Sequence, residues 1–250
     1  AMGNTEMLTK LQEVIQVFFD MGGGMIDSSP MYGSAEEVIG KLLPGVRGET
    51  DLFAATKVWI EGKEKGIKQM EASRQKWGIQ GFDLIQIHNL VDWQTQLETL
   101  KEMKAEGKIR YYGITTSHGR NHGELTQILN RHDFDFVQLT YNIGNREVES
   151  ALLPIAQEKG IAVIVNRPYK RGDLFRAVKG KPLPPWAGEL DCQSWGQYFL
   201  KFVISHPAVT CTIPATSKAK HMQDNMQAGR GRMPTEKQRI KMIEYFESLT

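Results

Sequence analysis

Three ionisable side chains each stand at the polar end of a short apolar run in the first third of the chain. Asp27 follows Met25-Ile26, Lys57 follows Phe53-Ala54-Ala55-Thr56, and His88 follows Leu84-Ile85-Gln86-Ile87, while Tyr32 lies just after Asp27. A tyrosine phenol has an ordinary pKa of about 10, so it releases a proton reluctantly near neutral pH. A neighbouring ammonium favours the phenolate and eases that release. Lys57 can supply the ammonium, Asp27 can hold it in an ion pair, and His88 can offer an imidazole N–H to polarise a carbonyl. Such a set protonates a developing alkoxide. A plainer reading makes Asp27 and Lys57 a buried pair that knits two strands and His88 a hydrogen-bonded core residue; the company of all four favours chemistry.

Residues scattered this far apart need a scaffold that brings strand ends together. The chain has 250 residues, 40% of them hydrophobic, which suits one large α/β domain able to bury a core. Apolar residues at Leu8, Leu11, Ile15, Phe18 and Phe19 mark a first helix that Gly22-Gly23-Gly24 ends. Strand and helix patterns then alternate roughly every thirty residues. The strands are Met25 to Asp27, Leu52 to Lys57, Phe82 to His88, Tyr111 to Thr115, Phe134 to Leu139, Ile161 to Val165 and Val209 to Ile213. Ser34 to Glu37 has the pattern of a capping box, and Pro182-Leu183-Pro184-Pro185 marks the one long connection. Near-continuous apolar strands separated by helices predict right-handed βαβ units around a parallel sheet. No GxGxxG turn follows the first strand, which disfavours an open dinucleotide-binding sheet. The expectation is α/β, a (β/α)8 TIM barrel formed by residues 1–250 as a single domain. The pattern yields seven strands, so the chain reads as truncated at its N-terminus, with the first strand and its preceding hairpin missing.

In such a barrel the working face is the C-terminal rim of the strands. Beyond the four residues above, that rim receives Thr115, Thr116, Gln138, Asn166 and Arg167. Trp59 and Trp93 either line a substrate cleft or simply pack. His118 and His122, four apart, suggest a metal only weakly, since Gly119 and Gly123 point to a loop. No metal is expected. A net charge of +2 gives no argument for nucleic acid or a membrane surface. Cys192 and Cys211 form no disulfide framework or zinc motif, and no apolar run is long enough to span a bilayer. The opening Ala1-Met2-Gly3 reads as a cloning remnant. A cytoplasmic location is the default expectation, with a periplasmic one the alternative if an export signal has been removed.

Asp27-Ser28-Ser29-Pro30-Met31-Tyr32-Gly33, Ala55-Thr56-Lys57 and Gln86-Ile87-His88-Asn89 resemble, in order, the Asp, Tyr, Lys and His signatures of the aldo-keto reductase superfamily. Val137-Gln138 and Ile213-Pro214-Ala215-Thr216-Ser217-Lys218 extend the resemblance over nearly the whole chain. It implies a barrel that binds NADPH (or NADP in the reverse direction) in an extended pose and reduces a small-molecule aldehyde or ketone, with Tyr32 as proton donor. It also implies that Thr115, Thr116 and Gln138 hold the nicotinamide carboxamide, and that Arg167 and the loop to Leu174 cover the pyrophosphate. Thr216, Ser217, Lys218 and His221, with Lys220 nearby, would meet a 2′-phosphate. Asp224 and Asn225 fall at the adenosine positions, and Trp59, Asn89 and Trp93 at the substrate side. Asn166 departs from the family's usual aromatic stacking residue, so stacking is absent or comes from Tyr169. Ala215 and His221 replace common Lys and Arg residues, which lowers the affinity expected for a 2′-phosphate. A nucleotide-binding sensor or regulatory subunit that has lost turnover is the alternative. A Schiff-base aldolase using Lys57 ranks last, because Asp27 keeps the amine charged. The substrate and the oligomeric state are left open.

Overall fold

Helix α1 (Thr5–Asp20) carries its apolar stripe inward, burying Val14 and Phe19. The computed structural model describes residues 5–48 and 52–250, so Ala1-Met2-Gly3 lie outside the described residues. Gly22, at φ +88°, turns the chain into β1 (Met25–Asp27). The alternation then runs α2 (Ala35–Leu42), β2 (Phe53–Val58), α3 (Lys63–Trp77), β3 (Phe82–His88), α4 (Trp93–Ala105), β4 (Ile109–Thr115), α5 (His122–Arg131) and β5 (Phe136–Thr140). It continues with α6 (Leu152–Lys159), β6 (Ala162–Asn166), α7 (Asp173–Ala177), α8 (Trp195–Ile204), β7 (Cys211–Thr212), α9 (Ala219–Gln227) and α10 (Glu236–Leu249). All seven strands are parallel and neighbour one another in sequence order. The described residues therefore form the curled sheet of a (β/α)8-type barrel with one strand fewer than eight. Its edges, β1 and β7, approach each other, with Cys211 Sγ 3.8 Å from Met25 Sδ. No helix among the described residues is long and apolar enough to cross a membrane.

Side chains alternate across each strand, so one parity of positions faces the barrel interior. Phe53, Tyr111 and Phe136 form its floor, with ring centroids 5.5–6.0 Å apart. Ala55, Leu84 and Ile164 pack above them. The same parity carries Lys57 after Ala55, Gln86 after Leu84 and Asn166 after Ile164. Register sets Lys57 beside Gln86, His88 beside Thr115, Thr115 beside Gln138 and Thr140 beside Asn166, so the polar residues gather toward the C-terminal ends of the strands. The larger apolar cluster, including Trp77, Leu97, Leu125, Leu153 and Phe199, fills the space between sheet and helices.

Local signals mislead at two places. Ser34 is the N-cap of α2, but at φ −90°, ψ 10° it makes no side-chain cap bond. Its backbone lacks the extended conformation that aims a cap hydroxyl at the first-turn amides. Instead Glu36 is buried and accepts from Thr56 Oγ1 at 2.7 Å and Ser73 Oγ at 2.9 Å, tying α2 to β2 and α3. The last strand is confined to Cys211–Thr212, although Thr210 and Ile213 still donate their N–H groups to Val163 and Val165.

Gly113, inside β4, is required by a close approach. A Cβ there would lie 2.8 Å from the Phe136 carbonyl oxygen and 3.2 Å from Gln86 Cγ. Gly113→Ala is expected to lower stability by about 1–3 kcal/mol through overpacking. Gly123→Ala, where a Cβ meets nothing within 4 Å, should cause no loss; urea midpoints of the two variants check the contrast.

Candidate active site

At the C-terminal end of the strands, Lys57 and Asp27 form an ion pair whose side chains are 0% and 2% exposed. The Lys57 ammonium donates to Asp27 Oδ2 at 2.5 Å and to the Ser28 carbonyl at 2.8 Å. Asp27 Oδ1 accepts from Gln86 Nε2 at 2.8 Å and Gln138 Nε2 at 3.2 Å. Gln138 also donates to Gln86 Oε1 at 3.0 Å. A buried ion pair is tolerable only when its remaining donors and acceptors are met, and these amides meet them. Four strands thus contribute to one network. The amine, held by two acceptors and without solvent access, is not presented as a free nucleophile for a Schiff base.

Above this network stand Tyr32 and His88. The Tyr32 ring lies with its centroid 5.1 Å from the Lys57 ammonium and packs edge-on to the His88 ring at 6.2 Å. No hydrogen bond joins the phenol oxygen to Lys57; the neighbouring ammonium expected from the sequence meets the aromatic face instead. The reason is geometric: Lys57 turns down to Asp27 and Ser28, while Tyr32, on the β1–α2 loop, is 49% exposed at the rim. His88 is 7% exposed. Burial, reinforced by the Lys57 charge, holds its pKa down at about 4. Ser29 Oγ accepts from the Met31 N–H and lies 3.2 Å from His88 Nδ1. The Ser29 hydroxyl is able to donate to Nδ1, an arrangement that goes with the imidazole proton on Nε2.

The other residues singled out from the sequence divide. Asn166 donates to the Thr116 carbonyl at 3.0 Å and accepts from Thr140 Oγ1 at 2.6 Å, extending the polar ring across β5 and β6. Thr115 Oγ1 donates to the Thr116 carbonyl. The Thr116 hydroxyl is buried and has no hydrogen-bond partner among the described residues. Tyr169 bonds Asn225 Oδ1 at 2.6 Å and packs against Phe175, so its ring is committed there. Arg167, Tyr169, Thr216, His221 and Asn225 line a groove of about 720 Å³. Asp224 also reaches it, but its two oxygens are engaged by Ser194 and Gln197 at the start of α8. Ser217 and Lys218 lie beside the groove instead of lining it, Lys218 as the N-cap of α9. Leu174 turns its side chain into the core, leaving only its backbone to meet a ligand.

On the substrate side, the Trp59 ring is 6.4 Å from the His88 ring and 38% exposed. Asn89 accepts from Ser117 Oγ at 3.0 Å. Trp93 is not brought to this cluster; it packs edge-on against His132. His118 and His122 also diverge, the first toward Arg167 and the second toward Glu147. Gln86, Ser28 and Ser29 were not singled out from the sequence, although inward parity with His88 is a signal that marks Gln86. Loops after β3, β4 and β6 hold Asn89, Leu90, His118, Asn121, Arg167 and Arg171 at φ between +52° and +66°. Side chains rarely adopt this conformation, and such strain concentrates at functional rims.

Residues 5–246 match the model of the aldo/keto reductase family. Over 211 residues the chain is 28% identical to the methylglyoxal reductase YeaE of Escherichia coli, an alignment covering 82% of this chain and 74% of the relative. It is 26% identical to the aldo-keto reductase str7 of Strobilurus tenacellus, covering 81% and 71%. Among solved structures, an aldo-keto reductase of Klebsiella pneumoniae in complex with NADPH superposes with a TM-score of 0.82 at 23% identity, covering 97% of this chain and 87% of that one. The holo form of the Bacillus halodurans aldo-keto reductase AKR11C1 gives a TM-score of 0.79 at 23% identity, covering 96% and 87%.

The depressed His88 pKa carries a measurable sign. The unfolded chain protonates this imidazole near 6.5 and the folded chain only near 4. Between these values the unfolded state binds more protons, so stability falls as pH drops from 6.5 toward 4, by at most about 3 kcal/mol from this group. NMR titration of His88 should give a midpoint near 4, and His88→Gln should flatten this part of the acid limb of stability.

Proposed function

The chain belongs to the aldo/keto reductase family, and we propose that it is an NADPH-dependent oxidoreductase that reduces an aldehyde or ketone to an alcohol. The observation that carries this reading is the buried Asp27–Lys57 pair beneath Tyr32, with a neutral His88 beside it. The E. coli relative named for methylglyoxal reduction supports a small carbonyl substrate, and the K. pneumoniae neighbour in complex with NADPH supports the cofactor.

The residues present fit such a dinucleotide. Thr116 keeps an orphaned buried hydroxyl at the end of β4, and Arg167, Arg171, Thr216 and His221 line the 720 Å³ groove. Thr115, Thr116, Gln138 and Asn166 would hold the carboxamide end, and Arg167 with the backbone near Leu174 the pyrophosphate. Thr216, Ser217, Lys218 and His221 would meet the 2′-phosphate, and Asp224 and Asn225 the adenosine. The cofactor, when bound, supplies the hydride.

The protein's part is to hold and polarise the carbonyl and to deliver a proton. His88 Nε2–H donates to the carbonyl oxygen, and the imidazole's low pKa keeps it a neutral donor throughout the neutral range. Tyr32 gives its phenolic proton to the same oxygen as negative charge develops there. The Lys57 ammonium stabilises the resulting phenolate electrostatically through the ring, and Asp27 keeps that ammonium in place. Trp59 and Asn89 border the substrate. A second reading, a nucleotide-binding module without turnover, is favoured by one observation: the phenol and the ammonium share no hydrogen bond.

Oxidation of NADPH in the presence of 4-nitrobenzaldehyde, followed by absorbance of the reduced nicotinamide, tests both. The expected outcome is turnover that falls by about 10²–10⁴-fold in Tyr32→Phe with the cofactor affinity retained. Nucleotide binding without any consumption establishes the second reading instead. Asp27→Asn, which leaves Lys57 as an uncompensated buried charge, should cost about 3–5 kcal/mol of stability in a denaturant titration.

A further inference from the structure

The rim beside His88 carries positive charge that the proton-delivery set does not use. Arg167 donates to His118 Nε2, and His118 Nδ1 lies 2.9 Å from Ser117 Oγ. Ser117 in turn donates to Asn89 Oδ1, which leaves the Asn89 amide N–H groups without an acceptor among the described residues. Arg120 and Arg171 stand close enough to hold both the His118 imidazole and the Arg167 guanidinium below their usual pKa values, alongside burial, the larger cause. Among the described residues none of Arg120, Arg167 or Arg171 forms an ion pair, although seven other arginines do, so these charges lack a counter-ion.

A cavity of about 190 Å³ opens where this charge collects, lined by Asn89, Thr116, His118 and Arg120 among others. It is separate from the 720 Å³ groove, which Arg167 and Arg171 line but His118 and Arg120 do not. The unpartnered, buried Thr116 hydroxyl borders the small cavity. Asn89 follows His88 directly in the chain, and His118 on the cavity wall bonds Arg167, which lies near enough to Tyr32 to interact with it electrostatically, so the cavity lies on the same rim as the proton-delivery set. Donors predominate here: one guanidinium at the wall, a second behind His118, an amide and a hydroxyl. A planar anion accepts from such a set, and a carboxylate matches the guanidinium fork.

We infer that this cavity binds a carboxylate on the substrate itself, so that the carbonyl compound reduced is an oxo-acid or a carboxylated aldehyde, with Arg120 as the specificity-determining residue. This rests on the reductase reading above and goes beyond it by giving the substrate a charge. The nucleotide's own phosphates are the rival claimants for Arg167 and Arg171, which lie on the groove. Arg120 is the discriminating position because it lies on the small cavity alone.

The experiment compares 4-carboxybenzaldehyde with 4-nitrobenzaldehyde, near-isosteres that differ in charge, on the whole chain with saturating NADPH. In the unaltered protein the carboxylated aldehyde should have at least a tenfold higher kcat/KM. Arg120→Gln should remove most of that preference through KM, leaving kcat for the carboxylated aldehyde within about twofold. Arg120 is exposed on a loop, so the variant keeps the fold. Equal kcat/KM for the two aldehydes in the unaltered protein, or a preference untouched by Arg120→Gln, overturns the inference. If neither aldehyde is turned over, the proposed function fails, and calorimetric titration with 4-(hydroxymethyl)benzoate decides the cavity separately. Binding weakened at least tenfold by Arg120→Gln upholds an anion site, whereas absent or unaltered binding overturns it.

Discussion

The Lys57 ammonium sits in the interior of a protein barrel, where an unpaired charge is prohibitive. Its burial is possible because Asp27 lies 2.5 Å away and because Gln86 and Gln138 in turn satisfy the carboxylate. Each of these residues comes from a different strand, so the pair depends on the register of β1, β2, β3 and β5 together. Even the missing side chain at Gly113 serves it, since the Gln86 stem occupies the space a Cβ would need. The aromatic floor of Phe53, Tyr111 and Phe136 closes the interior beneath and keeps water from the pair.

From that buried charge the site grades outward. His88 lies close enough to feel Lys57 and deep enough to resist protonation, so it remains a neutral donor. Tyr32 takes the rim, half-exposed, with its ring over the ammonium. In the proposed reduction a proton donor needs access to substrate while the charge beneath it needs exclusion from water, and an aromatic ring between the two suits both demands. The loops around them hold backbone conformations that cost energy, which fixes Asn89, His118 and Arg167 about the mouth.

The near-neutral total charge conceals this local asymmetry. Most arginines and acids pair on the outer surface, where such bridges contribute little. At the mouth, Arg120, Arg167 and Arg171 gather without acids. Composition averages these populations, so an anion-attracting rim is invisible in the +2 net charge.

Strand order, the barrel class and the four residues at the mouth were legible in the sequence because each strand ends an apolar run with a polar residue, and a parallel barrel sends all such ends to one rim. The family followed from the order of those motifs. What the sequence misjudged depends on direction rather than on type: Ser34 reads as a capping hydroxyl, yet its side chain makes no cap bond. The role of Gln86 also escaped notice, since its inward parity has meaning only once Lys57 is placed beside it by register. Local pattern decides which residues reach the rim, since alternation and apolar runs are properties of a few consecutive residues. Which of them touch, and which are left with unpaired charge, is decided only when separate strands and loops converge, because hydrogen bonds and ion pairs depend on distances of a few ångströms between segments far apart in the chain.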